Sequence, residues 1–305
     1  MLVKLQTTAQ LLAEGLDSDQ LRRLVSLGEV TRVRRGVYDR DPADLAPVEA
    51  HRRLIAATMP QLDANAALSH VSAAVLHGMA VPTRSLGRVW VTRVSAGGGH
   101  LRSRLHEHKA PFRAADVVLL DGWPVTTAPR TAIDLARRVG PDYGLAAADQ
   151  VLRSGGSRES LAEQVALWPR RPGMGRARAL VAIADGGAES YGESVSRLLM
   201  WQLGLPMPVL QFEVHVHAHL YRSDFGWPEL GVLGEFDGRV KYADLLRPGQ
   251  SAADVLMAEK RREQQLQAMG WHVVRWGMDE LRNPEGFRRL LLAAFRNAAR
   301  PPASA

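Results

Sequence analysis

Three acidic side chains stand where an apolar hairpin would ordinarily carry neutral residues. They are Asp224, Glu235 and Asp237, in the stretch YRSDFGWPELGVLGEFDGRVKY from Tyr221 to Tyr242. Carboxylates brought together repel one another unless a cation lies between them. Mg2+ suits a set of carboxylate oxygens and waters, and it bridges readily to phosphate. A lysine close by, here Lys241, adds a charge that orients water or steadies negative charge developing on phosphorus. These residue types suggest metal-dependent hydrolysis of a phosphodiester. The competing reading is a solvated hairpin with scattered acids.

The elements that must position these groups can be read from the pattern around them. Two apolar runs, Tyr221–Trp227 and Leu230–Phe236, flank Pro228-Glu229. Proline's fixed φ and missing N–H suit a turn there. Side chains alternate faces along a strand, so Glu235 and Asp237 share one face, and Asp224 meets them across the ladder. Upstream, a helix predicted over Glu189–Leu203 carries Glu189 and Glu193 one turn apart. Like charges at that spacing destabilise a helix slightly unless something uses one of them. Between the helix and the hairpin, FEVHVHAHL alternates. Phe212, Val214, Val216 and Leu220 are expected to face inward, and Glu213, His215, His217 and His219 outward. Alternate residues on a flat strand point in parallel, which separates them too far for a shared zinc ion, so this histidine face is read as solvated. Helices over Glu259–Met269 and Asp279–Asn297 bracket a strand over His272–Trp276.

Asp224-Phe225, Glu235-Phe236-Asp237-Gly238 and Lys241 together resemble the core of the PD-(D/E)XK nuclease superfamily, in the branch of the very-short-patch repair endonucleases and the DUF559 proteins. That pattern runs helix Glu, Asp-Phe, Glu-x-Asp-Gly, then a basic residue, usually His. The helix position falls on Glu193, with Glu189 in reserve. EKRREQQLQAMGWHVVRW, Glu259 to Trp276, resembles the family's last helix and strand. The resemblance implies a Mg2+ (or Mn2+) site held by Glu193, Asp224 and Glu235 with Asp237 helping. The second motif half reads Glu-Phe-Asp rather than Glu-x-Lys, so the basic residue is Lys241, or Lys260 from the following helix.

The amino-terminal stretch suggests a reader of nucleic acid. Thr7 or Thr8 can cap a first short helix that Gly15 ends, and Asp17 or Ser18 caps a second that Gly28 stops. The segment VTRVRRGVY then alternates like a strand pair with a basic tip. Two helices and a basic hairpin make a minimal winged helix-turn-helix, with Arg22, Arg23, Arg32, Arg34 and Arg35 as DNA-contacting candidates. GEVTRVRRGVY resembles the amino-terminal domain of AbiEi-type antitoxins, the transcriptional autorepressors of type IV toxin–antitoxin operons. VTTAPRTAIDLAR resembles the body of such proteins.

A helix over Ala66–Met79 would put His70 and His77 on one face, packed and hydrogen-bonded rather than ligating. Strands over Leu86–Val94 and Leu101–Ala110 would pair across AGGGH. This portion carries Arg84, Arg88, Arg93, Arg102, Arg104, Lys109 and Arg113 against Glu107, with His100, His106 and His108. Such a basic sheet face either follows a phosphate backbone or is simply solvated.

Composition sets the outer bounds. The chain has 305 residues, 46% hydrophobic and 23% charged, a globular balance. It has no cysteine, which excludes disulfides, thiolate-ligated metals and a thiol nucleophile. Net charge is +7 and almost all basic residues are arginine, which favours phosphate recognition. No apolar run reaches the ~20 residues of a membrane helix, and MLVKLQTTAQ lacks a signal peptide's apolar core, so the expected location is cytoplasmic. The expected fold is α/β, α+β overall. It comprises a winged helix-turn-helix over 1–45, a mixed α/β middle region over 46–185 and a PD-(D/E)XK restriction-endonuclease-like domain over 186–305. The expected function is a Mg-dependent endonuclease acting on double-stranded DNA. The alternative is a non-enzymatic antitoxin and autorepressor with a degenerate nuclease fold, partnered by a nucleotidyltransferase-like toxin.

Overall fold

The computed structural model describes residues 5–40, 44–63, 65–93, 100–101, 103–111, 113–216, 219–238 and 252–298. The architecture is mixed α and β, in two compact units. Unit one is Met1–Val151 with Gly156–Ala182, and unit two is Leu152–Gly155 with Ile183–Ala305.

Unit one begins with strand β1 (Leu5–Thr7), helices α1 (Thr8–Ala13) and α2 (Ser18–Ser26), and a hairpin of β2 (Thr31–Arg34) and β3 (Val37–Asp39). Both helices start on capping boxes. Thr7 exchanges hydrogen bonds with Gln10, and Asp17 with Gln20, so the first orphan N–H groups are satisfied locally. Leu11, Leu21 and Val30 are buried beneath them. Strand β1 adds to the far side of β3, giving the order β1-β3-β2.

The chain continues through α3 (Pro47–Thr58), β4 (Ala66–Leu68), α4 (His70–Leu76), β5 (Val89–Arg93), β6 (His100–Leu101), β7 (Leu105–Lys109), β8 (Val117–Leu120) and β9 (Trp123–Thr126). The strands form a sheet ordered β6-β7-β5-β4-β9-β8. Helices α5 (Ala128–Arg138), α6 (Pro141–Arg153), α7 (Arg158–Ala166) and α8 (Met174–Ile183) follow. Two sequence expectations change here. Ala66–Leu68 is a buried strand, and the helix starts only at His70, whose φ of 48° marks the break. Strands β5 and β7 pair in parallel rather than as a hairpin.

Unit two holds α9 (Tyr191–Gln202), β10 (Val209–Val216), β11 (His219–Trp227), β12 (Val232–Phe236), α10 (Ala252–Ala268), β13 (His272–Trp276), α11 (Met278–Leu281) and α12 (Pro284–Asn297). Strands β10, β11 and β12 are antiparallel, and β13 joins β12 in parallel after the α10 crossover. A parallel neighbour needs such a connection, since a tight turn cannot return the chain in the same direction. Pro228–Leu230 forms the β11–β12 turn, closed by Gly231 at φ 65°. Phe225, Trp227, Trp276 and Phe287 make the aromatic core, with Phe225 and Trp276 stacked at 5.1 Å. The run FEVHVHAHL is not one strand. Strand β10 ends at Val216, and Leu220, expected inside, is half exposed on β11.

Candidate functional site

The acids of unit two are brought to one end of its sheet by backbone register and one glycine. Phe225 pairs with Gly234, which places Asp224 alongside Glu235 and Phe236. Its Oδ2 accepts the Phe236 N–H at 2.9 Å. Helix α9 comes close because Gly192 has no side chain. A Cβ there would sit 2.0 Å from the Phe236 ring. Glu193 is therefore carried inward and is 6% exposed, with Oε2 accepting the Glu189 N–H at 2.8 Å and the Gln211 Nε2 amide at 3.2 Å. Gln211 lies across the ladder from Asp224 with φ 50°, a left-handed backbone rare for a side-chain-bearing residue. Strain of that kind gathers at functional sites.

The electrostatics separate the acids. Burial raises the Asp224 carboxyl to about 6. The Phe236 N–H opposes this, and the charges of Glu193, Glu235 and Glu189 add to it. Asp237 is also raised, by burial first, with Arg275 pulling the other way. Glu235 is compensated. Its Oε1 accepts from Arg262 Nη2 at 2.6 Å and its Oε2 from Arg275 Nε at 2.9 Å. Glu189 pairs with Arg222 at 3.1 Å on the surface.

The predicted set is thus assembled unevenly. Asp224 and Glu193 stand together in the site, and Glu235 stands beside them with both oxygens engaged. To ligate a metal, Glu235 would have to release an arginine. Among the described residues no group of three or more acids or histidines has the geometry to hold a metal ion. Lys241 lies outside the described residues, and Lys260 is exposed on α10. Arg262 and Arg275 were missed by sequence reasoning. Arg275 stands opposite Glu235 in the parallel β12–β13 register, which the local sequence pattern does not fix.

On unit one, Arg22 is exposed and paired with Asp19 at 2.6 Å, while Arg23, Arg32 and Arg35 are exposed. Arg34 differs. It is half buried, its guanidinium is lowered by that burial, and its Nε and Nη1 make no hydrogen bond among the described residues.

No family model matches the chain. Two uncharacterized proteins from Mycobacterium tuberculosis, of strains CDC 1551 / Oshkosh and ATCC 25618 / H37Rv, are each 34% identical to it over 179 residues, 58% of this chain. The chain spans 63% of the length of these curated relatives. The crystal structure of the RV2827C protein from Mycobacterium tuberculosis is similar with a TM-score of 0.40 and 20% identity, over 69% of this chain and 83% of that one. No helix among the described residues is long and apolar enough to cross a membrane.

Proposed function

We propose that the chain is a DNA-binding protein whose unit two is a divalent-metal-dependent endodeoxyribonuclease of PD-(D/E)XK type. One observation carries the reading. Asp224 is a half-buried carboxylate held near three other acids, and no described cation pairs with it. Buried like charges are costly without a counter-ion, and perturbed acids of this kind cluster at functional sites. The order helix, three antiparallel strands, crossover helix and parallel strand supports the same reading.

Asp224 and Glu193 would hold Mg2+ or Mn2+, with Asp237 at the exposed rim. When bound, such an ion would supply positive charge next to a phosphate and lower the pKa of water. The chain's own residues do the rest. Gly192 sets the helix-to-strand distance. Gln211 and the Glu189 N–H fix the Glu193 carboxylate. Arg262 and Arg275 neutralise Glu235, so that Asp224 can ionise beside it. Lys241 is kept as the basic member of the site, and the exposed arginines of α2 and the hairpin as contacts to duplex phosphates. The test is nicking of supercoiled plasmid with Mg2+. The intact chain is expected to cleave, and Asp224→Ala to lose cleavage by about 1,000-fold, in line with removal of a group stabilising the transition state. Equal cleavage by both proteins overturns the reading.

The doubly paired Glu235 favours a second reading. A carboxylate already neutralised by two guanidinium groups needs no metal. The chain would then be a non-enzymatic antitoxin and autorepressor of AbiEi type, with a nucleotidyltransferase-like toxin as partner. It would bind its own promoter with steep salt dependence and cleave nothing.

A further inference from the structure

Unit one carries a second charged cluster, opposite in sign to the acid site. His106 and His108, expected on a sheet face, are half buried, and His70, expected to be packed, is buried beside them. His70 stacks on His108 at 4.0 Å, and His108 on His106 at 4.2 Å. Beside this column lies a cavity of about 210 Å3 whose lining includes Arg130, Arg137, Arg138 and Arg171. The one lining acid, Asp134, is already engaged by Arg130 Nε at 2.9 Å and Arg137 Nη1 at 3.2 Å.

Two buried nitrogens at the cavity lack a hydrogen-bond partner among the described residues. Arg130 is 3% exposed, and its Nη1 makes no hydrogen bond among the described residues, with Asp116 Oδ2 3.7 Å away. Nε2 of His108 is likewise buried without a partner. Burial pushes His70 to about 4 and His108 to about 2, so both rings are neutral near pH 7 and offer hydrogen bonds without charge. Arg171 stacks on Trp168 at 4.4 Å. Its guanidinium is lowered by burial and by the nearby charges of Arg130 and Arg138.

Arg130, Arg137 and Arg171 are wholly or partly withdrawn from solvent, and Arg138 stands exposed at the rim. With Asp134 shared by two of them and Asp116 by Arg130 and Arg113, the cavity keeps an excess of positive charge that an anion would offset. Guanidinium forks match phosphate oxygens, and a dianion suits the excess better than a monovalent ion. The cavity is smaller than the ~300–1,000 Å3 of sites for drug-sized ligands, so it admits one anionic group rather than a large molecule. We propose that this cavity is a phosphate-binding site. The phosphoryl group enters either as inorganic phosphate or as the terminal phosphate of a nucleic-acid strand. The proposal stands independently of the carboxylate site in unit two.

The experiment is calorimetric titration of the full chain with inorganic phosphate at constant ionic strength, followed by competition with oligonucleotides that carry or lack a 5′ phosphate. Saturable binding is expected, weakened at least ~10-fold in Arg171→Gln, the loss of about one charge-assisted hydrogen-bond pair. Should Arg171→Gln fail to fold, the exposed Arg138→Gln carries the same expected direction. Competition by the phosphorylated strand alone assigns the site to strand ends, and competition by neither strand assigns it to the free ion. Both outcomes support the proposal. Equal competition by both strands, absence of saturable binding, or undiminished affinity in the folded variants overturns it.

Discussion

Asp116 in unit one is buried and Asp224 in unit two is half buried, yet their environments push them in opposite directions. Asp116 is 0% exposed, and burial alone would raise it. Hydrogen bonds from the Arg113 side chain and backbone and from Gln164 outweigh that and hold it at about 2. Asp224 accepts one backbone N–H and faces other acids, and it sits at about 6. A buried carboxylate with its partners in place is a structural member. One left facing like charges is electrostatically uncompensated. The contrast continues between neighbours in unit two, where Glu235 resembles Asp116 and Asp224 does not.

The largest effect that sharpens this contrast is at Asp116. Asp116→Ala leaves Arg113 and Arg130 without their shared acid, and urea unfolding is expected to show a loss of about 3–5 kcal/mol. Because its folded value lies below the ordinary 3.8, the stability Asp116 adds is present at neutral pH and is lost as pH falls toward 2. A loss well under 1 kcal/mol would remove Asp116 as the structural half of the comparison. Next is Gly192→Ala. It forces a methyl onto the Phe236 ring and is expected to cost about 1–3 kcal/mol by thermal unfolding. An unchanged Tm would mean that α9 does not depend on that close approach.

Asp224→Asn has the opposite sign and a smaller size. The raised carboxyl means the folded chain holds this proton more tightly than the unfolded chain does. The stability from that proton is present below 3.8 and lost as pH rises through about 6. Replacing the ionised acid with a neutral amide is therefore expected to stabilise the metal-free protein by about 1–2 kcal/mol at pH 7.5, discounted for partial exposure. Destabilisation there would show that the Asp224 charge is already compensated. The smallest effects on folding are at Arg22→Gln and Arg23→Gln. Each is expected to change stability by less than about 0.5 kcal/mol. Each should also reduce the salt slope of duplex binding by about 1, read by fluorescence anisotropy across a salt series.

The legibility of these features in the sequence follows how local their causes are. The caps at Thr7 and Asp17, the stops at Gly15 and Gly28 and the Pro228 turn depend on a few neighbouring residues, and all are where the pattern places them. The mixed α and β class follows from the same periodicities. The failures come from distant partners. Nothing local in Ala66–Leu68 distinguishes a helix start from a buried central strand, because β4 is specified by β5 and β9 on either side. Within the candidate site, the positions of Asp224 and Glu235 could be anticipated from strand alternation. The arginines on Glu235 come from β13 and the crossover helix, and the left-handed turn of Gln211 opposite Asp224 has no signature in its residue type.

The most direct test of the uncompensated carboxylate is titration of Mg2+ and Mn2+ into the full chain at pH 7.5 and pH 5, comparing the native sequence with Asp224→Asn. The account predicts saturable binding at pH 7.5, weakened at pH 5 as Asp224 takes up its proton, and lost in the variant. Binding that survives Asp224→Asn unchanged, or no binding by the native chain at pH 7.5, would contradict it.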